Sequence, residues 1–477
     1  MVFTSLNFLI FFPLVALLFY LTPLKWRWIT LLAASVFFYV NIKPVFALLL
    51  FGVIGSTYLF TRLISNTTDE SRKSLYLLAN IILVLLPLLF FKYFTVTNNA
   101  IIQLLAGWNL HWPLPEIKYM LPIGISFYTF MAIGYTIDVY NEEMDSERNI
   151  GRVALFISFF PLILSGPIER AKNMLPQFRN FNPINYENVS AGLKMMIWGY
   201  FMKLVVADRI GLYVDLVYGN IAGHNGTSLL IASVLYPFQV YADLGGYSLI
   251  AIGTAKVMGL NVMQNFNRPF FATSMAEFWR RWHISLISWL TDYVYTPLSF
   301  RFRKYKVRGI VIALMLTFLI SGIWHGAALT FVIWGLMQGT FLSIEALTNK
   351  KRTEVEKKFN LNKSKIYFFC CLLTTFVLFA SSQIFGRATN INDAFEVYRK
   401  IFTEHGTPFL DLTNLAYSML GLFILFFKDY TEEYIPGKKE LFQDRKFLRH
   451  LSYTILIYII LLMGVFDTND SFIYFKF

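Results

Sequence analysis

Long apolar stretches recur along the whole chain, and most have the length of a helix that crosses a membrane. The stretch at 74–96 is typical, because Lys92 is its only charged residue and about 20 apolar residues cross the hydrocarbon core. The first stretch has no basic start and no small-residue cleavage site, so we expect a retained helix. The predicted helical spans are 6–22, 29–41, 44–65, 74–96, 119–140, 152–165, 190–207, 226–258, 309–322, 328–348, 364–386, 410–427 and 450–466.

Proline and glycine interrupt the region 119–168, at Pro122, Gly124, Pro161, Gly166 and Pro167. Irregular backbone at membrane depth requires protein or a cavity around it to satisfy its polar groups. We therefore expect broken or re-entrant helices there, and about 10 to 12 true crossings.

The predicted organisation is one integral-membrane domain over 1–477, because we find no tandem repeat and no dividing linker. Within it we distinguish N-terminal helices (1–118), a catalytic core (119–349) and C-terminal helices (350–477).

Composition supports the membrane assignment. Of 477 residues, 56% are hydrophobic and only 15% are charged, against about 25% charged residues in a soluble domain. This excludes a soluble enzyme, a fibre and a disordered chain. The net charge of +13 is typical of cytoplasmic loops that face anionic lipid heads, and we expect membrane lipids rather than nucleic acid as partners. Cys370 and Cys371 are neighbours that point apart on a helix, so neither a disulfide nor a metal site is expected.

His325 lies between two basic loops, 301–308 and 350–365, which should both be cytoplasmic. The segment between them must leave that side and return, and we expect His325 at the turn of this hairpin. The 17 residues from Arg308 to His325 span about 25 Å as helix, against a hydrocarbon core of about 30 Å. An ionisable residue at that depth is a functional candidate, and imidazole suits proton transfer near neutral pH. Packing by a hydrogen bond to a neighbouring helix is the open alternative.

Residues 277–297 predict one interfacial helix. Its polar stripe comprises Glu277, Arg280, Arg281, Ser285, Ser288, Thr291 and Asp292, and its apolar face includes Trp279 and Trp282. His283 lies on the apolar side, which favours a functional role over an incidental histidine in an anchoring helix. Arg280 and Arg281 are candidates for contacts with donor phosphates.

The apolar segment 237–259 contains four polar candidates for substrate binding: Gln239, Asp243, Tyr247 and Ser248. Asp243 and Tyr247 are four residues apart and share a helical face. A carboxylate within a span lines a cavity or pairs with a cation. Pairing with Arg209 or Lys203 is the alternative to substrate binding.

The sequence contains no motif for a serine nucleophile, a phosphate loop, a dinucleotide site or a zinc protease. A base-assisted direct transfer is therefore favoured over a covalent acyl-enzyme. The remaining histidines lie in predicted loops or at helix ends and receive no role: His111, His224, His405 and His450.

At these residues the chain resembles the membrane-bound O-acyltransferase family, and most closely the bacterial branch of the alginate O-acetylation membrane subunit. The resemblance covers nearly the whole chain. The segments that carry it are MVFTSLNFLIFFPLVALLFYL, LPIGISFYTFMAIGYTIDVY (121–140), PLILSGPIER (161–170), FWRRWHISLISWL, SGIWHGA and the closing FIYFKF.

The resemblance implies an all-α polytopic fold, a ring of helices around a central tunnel, in a bacterial inner membrane. It implies that His325 is the catalytic histidine and that His283 occupies the family's other signature polar position. In the implied acyl transfer, Trp324 and Ser321 would shape the substrate pocket or stabilise the developing oxyanion, and Trp282 would take part in substrate binding. The acyl donor would be acetyl-CoA, no cofactor would be bound, and the acetyl group would pass to an exported or cell-wall polysaccharide, with an SGNH-hydrolase-like protein as extracytoplasmic partner.

Two segments depart from the pattern of the branch. The usual D-F-S-G-Y-S-D is replaced by DLGGYSL (243–249), and a W-F-R-A-like segment by IFGRA (384–388). These departures concern the identity of the acceptor more than the acyl chemistry. Two alternatives stay open: D-alanyl transfer to teichoic acid, and transport of a polysaccharide or a lipid-linked sugar.

Overall fold

The computed structural model describes residues 2–108, 121–435 and 445–466, which form helices joined by short connections and contain no strand. His111, the first residues of the predicted span 119–140 and the closing FIYFKF lie outside the described residues.

The chain forms two compact units. The first comprises Met1–Met196 with Ile250–Met263, and the second comprises Ile197–Leu249 with Gln264–Phe477. The organisation predicted from the sequence, with divisions after 118 and 349, stays a prediction.

The first unit contains the N-terminal helices. They are α1 Leu6–Leu21, α2 Arg27–Val40, α3 Pro44–Asn66, α4 Glu70–Ala106, α5 Ile125–Tyr140, α6 Ile150–Ser158, α7 Phe160–Ile163, α8 Ala171–Arg179 and α9 Tyr186–Tyr200, which ends in the second unit. The predicted interruptions are confirmed: Gly124, in a left-handed conformation (φ 79°), directly precedes α5, and Phe159 separates α6 from α7.

The second unit contains the remaining helices, although α11 ends in the first. They are α10 Asp208–Gly219, α11 Gly226–Val257, α12 Met275–Arg281, α13 Ile284–Leu290, α14 Thr296–Arg301, α15 Val307–His325, α16 Leu329–Lys358, α17 Lys365–Arg387, α18 Ile391–Thr403, α19 Leu412–Tyr434 and α20 Lys446–Met463. The π-helical segment Phe201–Ala207 joins α9 to α10, and Thr291–Tyr295 joins α13 to α14. Single 3-10 turns occur at Leu24–Trp26, Ile221–Gly223, Pro269–Phe271, Arg303–Tyr305 and Leu361–Lys363.

Among the described residues, seven helical segments are long and apolar enough to cross a membrane. They are Pro44–Asn66, Glu70–Ala106, Tyr186–Gly219, Gly226–Val257, Val307–His325, Leu329–Lys358 and Lys365–Arg387. Many of their leucines and phenylalanines are exposed, which is stable in lipid and costly in water. The prediction of an all-α polytopic membrane protein is confirmed.

Helices α15 and α16 form a tight hairpin because glycines face each other where they cross. A Cβ atom on Gly322 would lie 2.4 Å from the carbonyl oxygen of Phe331, and one on Gly335 would lie 2.4 Å from that of Phe318. Small residues allow helix backbones to approach this closely. The hairpin fixes the position at which α15 ends, and the last residue of α15 is His325.

Gly322→Ala is expected to destabilise the protein by about 1–3 kcal/mol, because the added methyl group must push α16 away. The matched control is Gly52→Ala in α3, where a Cβ atom meets nothing within 4 Å and alanine favours the helix by about 0.5–1 kcal/mol. Thermal denaturation of the detergent-solubilised variants measures both. A Gly322→Ala protein as stable as the Gly52→Ala protein would contradict the close crossing.

Candidate active site

A small cavity within the second unit brings His283 and His325 together. It has a volume of about 40 Å³, enough for about three water molecules. Helices α11 to α13 and α15 to α17 supply its walls, or their ends do. The lining residues are Tyr236, Val240, Trp279, Trp282, His283, Leu286, His325, Phe331, Trp334, Gln383 and Gly386.

His325 is the last residue of α15 and is half-buried. Its ring meets the ring of Trp334 edge-on, with centroids 4.9 Å apart and an interplanar angle of 84°, and contacts Trp324 at the same centroid distance. Gly326 follows directly, and a Cβ atom there would overlap the ring of Phe331 at 2.1 Å. The sequence therefore ends α15 with a close turn that directs the imidazole into the cavity wall.

His283 interrupts the helix predicted over 277–297, and that prediction of a single helix is wrong. The structure has α12 up to Arg281, then a left-handed residue at His283 (φ 44°, ψ 50°), then α13 from Ile284. Left-handed backbone is uncommon for residues other than glycine. Contacts from another segment of the chain must therefore hold it, and Asn265 provides them.

Asn265 is the centre of a buried hydrogen-bond network around His283. Its Oδ1 atom accepts from Ser285 N (3.3 Å) and Ser285 Oγ (2.9 Å) and lies 3.1 Å from His283 Nδ1. Its backbone oxygen accepts from Ile284 N (2.8 Å). The backbone N–H of Ser285 can only donate, so the side-chain atom of Asn265 that accepts from it is the amide oxygen and not the amide nitrogen. His283 Nδ1 lies against the same oxygen and must therefore donate to it. In the neutral ring, Nε2 then carries the lone pair.

The His283 imidazole is only 1% exposed, and burial lowers its pKa from 6.5 to about 3. The ring is therefore neutral at physiological pH. A histidine with a lowered pKa binds fewer protons in the folded protein than in the unfolded chain. Between about pH 6.5 and 3 the unfolded chain gains the proton, so this residue makes the fold less stable as the pH falls through that window.

Asn265→Asp is expected to make activity sensitive to acid. A carboxylate beside Nδ1 favours the imidazolium and raises the pKa of His283 by about one to three pH units. The neutral ring is then lost at an acidity that the wild-type protein tolerates. For the acyl transfer that the resemblance implies, the ratio of kcat/KM at pH 5.5 to that at pH 7.5 should fall. The control is Asn149→Asp, where Oδ1 only accepts from the first backbone N–H groups of α6. An unchanged pH profile in Asn265→Asp would refute the hydrogen-bond assignment.

Two of the three charged residues of α12, Glu277 and Arg281, form ion pairs. Arg281 contacts Glu277 (2.7 Å) and Glu433 (2.9 Å). Burial opposes ionisation of Glu277, but hydrogen bonds from Thr273 and the pairing with Arg281 lower its pKa overall. Arg280 is exposed. A role for either arginine in binding donor phosphates stays a prediction. At Arg281, a phosphate would have to compete with the carboxylates of Glu277 and Glu433 for the guanidinium group.

Asp243, on α11, belongs to a buried ion cluster. Lys203 Nζ is 2.7 Å from Asp243 Oδ1 and 2.6 Å from Asp208 Oδ1. The ring of Tyr247 is 5.5 Å from the same ammonium group. The pairing of Asp243 with Lys203, which the sequence left as an alternative, is present in the structure.

Only three of the predicted site residues line the cavity: His325, His283 and Trp282. Ser248 joins it indirectly, because its Oγ accepts from Asn265 Nδ2 (3.0 Å). The others lie outside the described cavity lining, and their substrate-binding roles stay predictions: Trp324, Ser321, Arg280, Arg281, Gln239, Asp243 and Tyr247.

The structure also brings to this site residues that the sequence did not single out, among them Asn265, Tyr236, Trp334 and Gln383. Each is an ordinary polar or aromatic residue in its local context. Trp334 had a weak signal, since it lies nine positions after His325 on the returning arm of the hairpin.

Comparison with known proteins identifies the family. The profile of the membrane-bound O-acyltransferase (MBOAT) family matches residues 141–383, which include both histidines and every residue of the cavity except Gly386. The chain belongs to this family. The enzyme is therefore a membrane O-acyltransferase, as the resemblance implied, and the comparison favours this class over a transporter.

Several curated MBOAT proteins are similar to the chain over most of its length. The probable alginate O-acetylase AlgI of Pseudomonas aeruginosa is 33% identical over 429 residues, 88% of this chain and 78% of the relative. The peptidoglycan O-acetyltransferase of Helicobacter pylori is 31% identical over 421 residues, 82% of this chain and 76% of the relative. The teichoic acid D-alanyltransferase of Bacillus subtilis is 28% identical over 213 residues, 43% of this chain and 54% of the relative.

Proposed function

We propose that this MBOAT enzyme takes an acetyl group from cytosolic acetyl-CoA and delivers it for O-acetylation of an exported or cell-wall polysaccharide. The observation that carries the proposal is the cavity that both histidines share. Its small volume suits a two-carbon group better than a long acyl chain. Similar proteins named for alginate and peptidoglycan acetylation support the reaction type and the class of acceptor.

In the proposed reaction, His325 is the general base. It takes the proton from an acceptor hydroxyl while the hydroxyl oxygen attacks the thioester carbonyl carbon. The C–S bond then breaks, the CoA thiolate receives the proton from His325, and the products are an ester and free CoA. Such proton transfer accelerates a reaction by about 10²–10⁴-fold. The half-buried position of His325 leaves the imidazole accessible to a reactant in the cavity.

His283 has a different role in this reaction. Its Nδ1–H donates to Asn265, and burial lowers the pKa of the ring to about 3. It therefore stays neutral, and through Nε2 it can accept a hydrogen bond from a reacting hydroxyl or thiol. We propose that it orients that group while His325 moves the proton.

The proposed setting is the bacterial inner membrane, with an SGNH-hydrolase-like protein on the far side as the immediate acetyl acceptor or the final transferase. D-alanyl transfer to teichoic acid is the second candidate. The partial similarity to teichoic acid D-alanyltransferases supports it, over a smaller part of the chain.

Inverted membrane vesicles containing the enzyme test the donor. We expect ¹⁴C-acetyl from acetyl-CoA to appear in polysaccharide or in a co-expressed SGNH-hydrolase-like partner. Vesicles given ¹⁴C-D-alanine with its carrier protein and activating enzyme provide the second arm. Label from D-alanine alone would refute the acetyl-CoA proposal and support the second candidate.

A further inference from the structure

Two hydrogen-bond donors in the wall of the cavity have no partner of their own in the part of the chain that the structure describes. Tyr236 on α11 and Trp334 on α16 line the cavity and are 4% and 5% exposed. No hydrogen bond joins the Tyr236 hydroxyl to another described residue, and Trp334 Nε1 is buried without an acceptor.

Three other tryptophan and tyrosine side chains of the second unit show a donor with its own partner. Trp279 lines the same cavity, and its Nε1 donates to Gln338 Oε1 (3.2 Å). Tyr218 bonds to Ser233 (2.8 Å), and Tyr241 donates to Asp429 (2.9 Å). A buried donor that lacks an acceptor costs about 1–3 kcal/mol. The cost at Tyr236 and Trp334 is removed when a bound reactant supplies an acceptor.

The position of these two donors relates them to the chemistry. The Trp334 ring contacts the His325 ring at 4.9 Å. Tyr236 precedes Val240 by one helical turn, and both line the same cavity. A carbonyl group held near His325 therefore has the Trp334 indole N–H and the Tyr236 phenol O–H among the donors of the wall, together with Gln383 and the Trp282 indole.

We infer that the Tyr236 hydroxyl and the Trp334 indole N–H bind the carbonyl oxygen of the acyl group and stabilise the oxyanion that forms on it, an inference that rests on the proposed function. When the acceptor oxygen bonds to the carbonyl carbon, the C=O electron pair moves to that oxygen, and the pair returns when the C–S bond breaks. Donors that are in place before the charge develops lower the barrier without reorganisation.

Tyr236→Phe and Trp334→Phe test this inference, because each removes one donor and keeps an aromatic ring. Loss of one oxyanion donor typically costs about 10²–10³-fold in kcat. We expect falls of that size in kcat for each variant, with little change in KM for the acyl donor. The matched controls are Tyr218→Phe and Thr330→Val. The first removes a buried hydroxyl outside the cavity, and the second removes a buried hydroxyl, one turn before Trp334, that has no partner among the described residues.

Steady-state kinetics, normalised to the folded protein recovered by size-exclusion chromatography, decide the outcome. A kcat within threefold of wild type in both Phe variants would overturn the inference, as would a fall that Tyr218→Phe and Thr330→Val share. A rise in KM with unchanged kcat would also overturn it, because the donors would then bind the ground state only. Acetyl-CoA and the D-alanyl carrier protein, the two candidate acyl donors, both present a carbonyl oxygen. The variants are therefore compared with the acyl donor that the wild type uses, and the result does not depend on the acetyl-CoA proposal.

Discussion

His325→Ala is expected to lower kcat for acetyl transfer by about 10²–10⁴-fold, because the variant lacks the group that takes the proton from the acceptor hydroxyl. The ring lies at the very end of α15 and is only half-buried, so its removal leaves the body of the helix intact and the amount of folded protein should be close to that of the wild type. Transfer of ¹⁴C-acetyl by purified protein in vesicles measures the loss.

The matched control is His405→Ala, because His405 is exposed, lies outside the cavity and is not within a helix. It should retain wild-type transfer. A His325→Ala enzyme that acetylates as fast as the His405→Ala enzyme would remove the proton-transfer role assigned to His325. A loss of folded protein in step with activity would instead indicate a structural histidine.

Lys203→Met is expected to cause the largest loss of stability, about 3–5 kcal/mol. Lys203, Asp208 and Asp243 form a buried cluster in which the ammonium group lies within 2.7 Å of both carboxylates, and the Lys203 and Asp243 side chains are 5% and 2% exposed. The variant leaves two carboxylates in an apolar environment without this cation, which is far more costly than removing a whole pair.

The double variant Lys203→Met, Asp243→Asn tests this cause. Because it removes one of the two carboxylates together with the cation, it should be more stable than Lys203→Met alone, although it has one more substitution. Melting temperatures of the solubilised proteins measure the order. If the double variant is the less stable of the two, the cluster is not held by charge pairing and the substrate-binding prediction for Asp243 gains weight.

The helices could be predicted from sequence because their signal is local. Apolar stretches of sufficient length predicted the spans, and the region of Pro161 and Gly166 predicted a break that the structure has at Phe159. The place of His325 at the turn of a hairpin also followed from local features, since two basic loops bracket an apolar stretch just long enough to carry it inward. The structure agrees, with α15 ending at His325 and α16 starting at Leu329.

The break at His283 could not be predicted in this way, because its cause is not local. Each residue of 277–297 fits the pattern of an amphipathic helix. However, Asn265, 18 positions before His283, stabilises a left-handed turn at His283 within this segment. The same holds for Arg281, whose partner Glu433 is 152 positions away. The cavity residues Tyr236 and Trp334 come from separate helices, so only the tertiary fold shows that they meet.

The measurement that tests the central claim most directly is a double-mutant cycle of His283→Ala and His325→Ala, read as single-turnover transfer of ¹⁴C-acetyl from acetyl-CoA. Two imidazoles that serve one reaction in one cavity act as a unit, so the double variant should be scarcely slower than the worse single variant. If the fold-loss of rate in the double variant equals the product of the fold-losses in the two single variants, the histidines act independently. That result would contradict a shared site.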